Sequence, residues 1–367
     1  MDQVLWERTS KAQQAAKQKY NNIQVLRAVA AGFVALYHSQ HYLQVFVGPS
    51  IAADAFDGQW GFYGVAIFFA ISGFLMGDLI HRNDAWTFIL HRAVRIYPPY
   101  YMAATLSITL LCFMPWRPEI DMLGMTLVPG FAPGTLGIEW TLVFETAFYV
   151  VLFALSWAEL AKWVEWFAGA WLAAVLATTV FAPAWQESIN PPLTTVLLSS
   201  MNIAFAAGLF LPRLMKTVAF WPLTLLIGLP LVVVTIHDNQ ATLRWAGGLA
   251  CVLLVGAVAQ LPQIEGKNWL SHLAIKFGDW SYATYLLHCT VLWLLFQTFA
   301  GYQHPTRIWL LSLVSVALVT WLFGSLDVAA YRLLRRRVNS ASDATRRAWG
   351  TAYIAAFLLI CLAGTLF

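Results

Sequence analysis

Apolar runs near the roughly 20 residues that a helix needs to cross the hydrocarbon core of a bilayer recur throughout this chain of 367 residues. In lipid every backbone N–H and C=O must find its partner inside the protein, so only helices and closed barrels span. Segments of about ten residues with alternating polarity, the mark of a membrane barrel, are absent. The reading is therefore all-α: a polytopic membrane helical bundle of about 10 to 11 transmembrane helices. Only 11% of the residues are charged and 60% are hydrophobic, against about 25% charged in a soluble domain.

The apolar runs place spans at 23–42, 60–80, 97–115, 138–158, 166–183, 193–212, 218–236, 243–260, 281–300, 306–325 and 350–367. The links between them alternate in charge. One set carries Arg82, Arg92 and Arg95, then Arg213 and Lys216, then "RLLRRR"; the other is poor in cations. Positively charged links stay in the cytoplasm, which puts the N-terminus inside and the C-terminus outside. Residues 1–22 are polar, lack a hydrophobic leader core and read as a cytoplasmic N-terminal segment. Residues 23–367 then form one membrane domain, with no soluble domain expected before the first span or after the last. The four cysteines lie in apolar runs without CxxC spacing, so neither a disulfide framework nor a metal site is expected.

Charged and polar residues inside spans are costly and mark function. Arg27 and His38 are eleven residues apart, which puts both on one face of a helix, about 16 Å apart along its axis. Counted from the cytoplasm, His38 lies roughly 22 Å up, and Glu145 of the fourth span lies roughly 10 Å down from outside. The two share a level. A carboxylate beside an imidazole fixes its tautomer and raises its basicity, the arrangement of a general base acting on a hydroxyl. Helix packing, or pairing with another buried cation, is the plainer use of these residues.

Arg92 and Arg95 are three apart, so they share one face of a short helix in the loop after the second span, with His91 alongside and Tyr97-Pro98-Pro99-Tyr100 opening the next span. Guanidinium forks suit phosphate groups, and lipid headgroups are the alternative ligand. "RLLRRR" reads as topogenic or lipid-binding. Ser72 sits among glycines in the second span, a close-packing pattern. Tyr285 and His288 share a face of the ninth span by their spacing.

Five stretches in order resemble the membrane acyltransferases of family 3. R-x10-H matches Arg27 and His38; FFxISGF matches "FFAISGF", which contains Ser72. RxxRIxPxY matches Arg92, Arg95, Ile96, Pro98 and Tyr100, with His91 where a further arginine often stands. WxLxxExxFY matches Trp140, Leu142, Glu145, Phe148 and Tyr149, and SYxxYLxH matches Ser281, Tyr282, Tyr285, Leu286 and His288. The resemblance implies an integral-membrane O-acyltransferase of the bacterial cytoplasmic membrane. Acetyl or another short acyl group would pass from cytoplasmic acyl-CoA, a donor substrate and not a tightly bound cofactor, to a hydroxyl of a sugar, polysaccharide or lipid-linked glycan at the outer side. It implies His38, Glu145 and Arg27 as catalytic residues and Arg92, Arg95, Tyr100, Ser281 and Tyr285 on the donor, with Ser72, Trp140, Tyr149 and His288 nearby. Expected partners are acyl-CoA, a carbohydrate or glycolipid acceptor and membrane lipids, but not nucleic acid; a homodimer is left open. The rival class is a secondary transporter, whose pathway also needs buried Arg, His and Glu.

Overall fold

A computed structural model describes residues 20–117, 119–131, 134–186, 188–227 and 240–366, and every regular element among them is helical. The long helices are α1 (Asn21–Phe46), α2 (Trp60–Leu79), α3 (Ala85–Leu111), α4 (Glu139–Trp157), α5 (Val164–Phe181), α6 (Ser200–Leu214), α7 (Gln240–Gln260), α8 (Trp269–Asp279), α9 (Ser281–Thr298), α10 (Pro305–Ser340) and α11 (Asp343–Leu366). Six of the described helices, α2, α4, α5, α7, α10 and α11, are long and apolar enough to cross a membrane. The chain is thus a polytopic helical membrane protein. Of the remainder, α1, α3 and α9 carry most of the polar residues singled out above. The seventh expected span, 218–236, lies partly outside the described residues, as does nearly all of the expected N-terminal segment.

At the centre of the bundle, α1 packs against α2, α8 and α9, while α2 is sandwiched between α1 and α6. Small residues make this possible, since lipid provides no hydrophobic drive between helices and close approach must supply the contact energy. A Cβ on Gly64 would lie 2.6 Å from the Ala30 carbonyl oxygen of α1, and one on Gly208 would lie 2.7 Å from that of Ala70 in α2. Neither position accepts a larger side chain without separating the helices.

Two expectations about helix ends are corrected. The stretch after the second span is no loop with a new helix at Tyr97: α3 begins at Ala85, capped by Asp84, whose carboxylate accepts from the Thr87 amide at 3.0 Å. It runs on through Pro98 and Pro99. Prolines remove two donors from a helix, but neighbouring helices compensate in membranes. Pro98 and Pro99 withdraw the donors that the Val94 and Arg95 carbonyls would use; beside them, the Tyr282 hydroxyl of α9 ties the helix to its neighbour by donating to the Ile96 carbonyl at 3.1 Å. The last basic link is also helical, because α10 continues for 36 residues to Ser340. That is about 54 Å of helix, well beyond a roughly 30 Å core. His91 pins these two extensions together through a 2.8 Å bond to Asn339.

Candidate active site

Three cavities follow one another through the bundle. At the end bearing the basic links, a chamber of about 330 Å³ is lined by Arg27, Arg92, Arg95, Arg332 and Arg335 together with Asp279. The first three arginines also line a narrow central cavity of about 110 Å³, with Ser72, Glu145 and Tyr149. Tyr285 and Val65 are shared between that waist and a wider chamber of about 430 Å³ toward the opposite end, where His38 and Trp140 form part of the wall.

The basic chamber is held in shape by buried contacts. Arg95 pairs with Asp327 of α10 at 3.0 Å, the carboxylate being 1% exposed. Its guanidinium also stacks between the rings of Tyr282 at 4.8 Å and Tyr331 at 5.3 Å. Arg92 lies over the Tyr149 ring, 5.7 Å from its centroid, and its Nε is buried without a hydrogen-bond partner among the described residues. Arg332 and Arg335 share a face of α10 by their three-residue spacing. The cluster that reads in sequence as topogenic thus contributes two guanidinium groups to the same chamber as Arg92 and Arg95.

In the waist, Glu145 accepts a short bond from the Tyr149 hydroxyl and a 3.5 Å bond from Ser72. This corrects the expected pairing of Glu145 with His38. Counting residues from the span ends gives depth, but two helices at one depth can still turn their side chains to different chambers. The imidazole partner of His38 is His288 of α9: the two nitrogens, Nδ1 of His38 and Nε2 of His288, are 2.8 Å apart.

The rest of the His288 environment decides where the protons sit. Its Nδ1 lies 3.0 Å from the Thr284 carbonyl and 2.8 Å from that of Tyr285. A carbonyl only accepts, so this nitrogen carries the hydrogen. In the neutral ring Nε2 is then the acceptor, His38 donates from Nδ1, and His38 Nε2 keeps its lone pair. Cys289 Sγ is 3.3 Å from the same His288 nitrogen, which gathers the ligating atoms of His38, His288 and Cys289 within 4.8 Å of one another.

Tyr285 stands where the waist meets the wider chamber, its hydroxyl in a short bond with Thr141 and 3.3 Å from the Ile138 carbonyl. The other two expected donor-side residues are placed elsewhere. Tyr100 and Ser281 are fully buried, line none of the three cavities and leave their hydroxyl groups without partners among the described residues. Their spacing fits helix packing as well as ligand contact, and packing is what the structure shows. Asp327, Tyr331 and Thr141 are not singled out by the sequence, and Arg332 stands there only within the topogenic cluster. Only Asp327, an acid at the end of an apolar run, carries a local signal there.

The profile of a family described as "Acyltransferase domain" matches residues 20–325. Among curated proteins, Nodulation protein 10 of Rhizobium leguminosarum bv. viciae is 27% identical over 324 residues, covering 74% of this chain and 83% of that protein. The exopolysaccharide production protein ExoZ of Rhizobium meliloti (strain 1021) is 28% identical over 254 residues, covering 62% of this chain and 75% of its own. No solved structure matches. With the family match extending from the first residues of α1 into α10, across every side chain of the three cavities except Val328, Tyr331, Arg332 and Arg335, the chain belongs to this acyltransferase family.

Proposed function

We propose that the protein is an O-acyltransferase that takes acetyl or another short acyl group from cytoplasmic acyl-CoA and transfers it to a hydroxyl of a sugar, polysaccharide or lipid-linked glycan at the outer side of the bacterial cytoplasmic membrane. The observation that carries this reading is the succession of cavities: basic chamber, narrow waist, wider chamber with His38. It suits a donor with an anionic head and a thin reactive arm. The phosphates of CoA would meet Arg92, Arg95, Arg332 and Arg335 as charge-assisted hydrogen bonds, and the pantetheine arm would thread past Arg27 and Glu145. The name of ExoZ supports an exopolysaccharide-related acceptor.

In this reading His38 Nε2 takes the proton from the acceptor hydroxyl as its oxygen attacks the thioester carbonyl. The carbon–sulfur bond then breaks, the ester forms, and the proton passes from His38 to the departing CoA sulfur. His288, not Glu145, holds His38 in the required tautomer. Glu145 instead balances the positive charge of Arg27 in the waist. The Tyr285–Thr141 hydroxyl pair, at the junction of waist and outer chamber, would steady the oxyanion by turning one O–H toward it from the Ile138 carbonyl. An acyl-histidine intermediate on His38 is the variant mechanism.

A linked chain of cavities also fits a secondary transporter. Purified protein given radiolabelled acetyl-CoA and a sugar acceptor separates the two. Labelled ester with stoichiometric free CoA is the expected result; vectorial movement of solute without thioester consumption would replace this reading with transport.

A further inference from the structure

The outer chamber contains a second basic group that the acyl-transfer chemistry above does not use. Arg244 lines it together with His38 and Trp140. Arg244 is 4% exposed and sits in a π-helical turn at Leu243–Gly247, near the start of α7. One extra residue per turn displaces a side chain from the regular helical face, and such turns recur at functional sites. One guanidinium nitrogen donates to the Gln186 carbonyl in a short bond and to the Ser200 hydroxyl at 3.4 Å. The Nε is buried with no partner, and no carboxylate pairs with Arg244 among the described residues.

A buried guanidinium that meets only neutral dipoles is expensive, and its cost falls when an anion supplies both charge and hydrogen-bond acceptors. The Gln186 and Ser200 contacts fix the orientation of the group without neutralising it. Among the described residues the chamber wall contains no Asp or Glu, so none of them repels an incoming anion. Trp140, Tyr37 and Phe62 give the same wall aromatic surface, of the kind on which the apolar faces of sugar rings rest.

From this we infer that Arg244 is the anion subsite of the acceptor: the group acylated belongs to a sugar that carries a carboxylate or a phosphate, held by Arg244 while a neighbouring hydroxyl faces His38. The inference rests on the acyltransferase reading for its chemistry, but the site is tested by binding. Full-length protein in lipid nanodiscs is unfolded thermally with methyl α-D-glucoside, methyl α-D-glucuronide or α-D-glucose 1-phosphate. At least one anionic probe is expected to stabilise the protein at concentrations about tenfold lower than the neutral glucoside, and the effective one tells carboxylate from phosphate. Arg244→Gln should erase that difference and Arg244→Lys should retain part of it. In both variants stabilisation by CoA persists, which reports an intact bundle. In the transfer assay Arg244→Gln should raise the KM for the effective anionic acceptor about tenfold. Equal response of the wild-type protein to neutral and anionic probes, or an unchanged anion preference in Arg244→Gln, overturns the inference. Absence of CoA stabilisation and of label transfer in wild-type protein would instead overturn the acyl-CoA reading, leaving the anion result to stand by itself.

Discussion

His38 of α1 and His288 of α9 share a hydrogen bond of 2.8 Å, and the carbonyl groups around His288 dictate which of the four ring nitrogens is left basic. The first prediction separates the two rings. His38→Ala should lower kcat by about 10²- to 10⁴-fold, the contribution of a positioned general base, while CoA still stabilises the protein. His288→Ala should cost less, about 10- to 100-fold, as expected of a group that orients another. Turnover within threefold of wild type in His38→Ala, measured as free CoA released, would remove it from the mechanism.

Arg95 and Asp327 form a buried pair between α3 and α10. Taking away one member of such a pair leaves the other charge stranded and costs about 3–5 kcal/mol. Asp327→Asn should therefore lower the unfolding midpoint, and because Arg95 also faces the basic chamber the KM for acetyl-CoA should rise as well. An unaltered midpoint would mean that Arg95 is satisfied without the acid.

If the basic chamber holds the phosphates of CoA, Arg92→Ala and Arg335→Ala should each raise the KM for acetyl-CoA about tenfold or more. Neither should change the KM for S-acetyl-pantetheine, which lacks the nucleotide. Equal losses on both donors would point to a structural role for the arginines.

Asp84, outside the membrane helices, caps α3. Partial burial pushes its carboxyl up, but bonds from Thr87 and the charge of Arg346 more than offset this and hold it below the ordinary range. A depressed carboxyl stabilises the fold above its unfolded-state pKa and loses that contribution as pH falls through the folded value. Asp84→Ala should thus cost about 1 kcal/mol at neutral pH, and the gap from wild type should close in strong acid. A gap independent of pH would assign the loss to something other than the charged cap.

Much of the architecture was legible without coordinates, because lipid imposes helices and their length on any apolar run. The same physics marked Arg27, His38, Arg92, Arg95 and Glu145, since such residues are too costly to stand idle in a membrane. Periodicity placed Arg27 and His38 on one face, and both line the linked cavities. Neither depth nor periodicity states the angle at which one helix faces another. That angle is set by close contacts such as Gly64 on Ala30 and Gly208 on Ala70, between residues far apart in sequence. It gave His38 to His288 instead of Glu145, turned Arg332 and Arg335 toward Arg92, and left Arg244 without a carboxylate among the described residues.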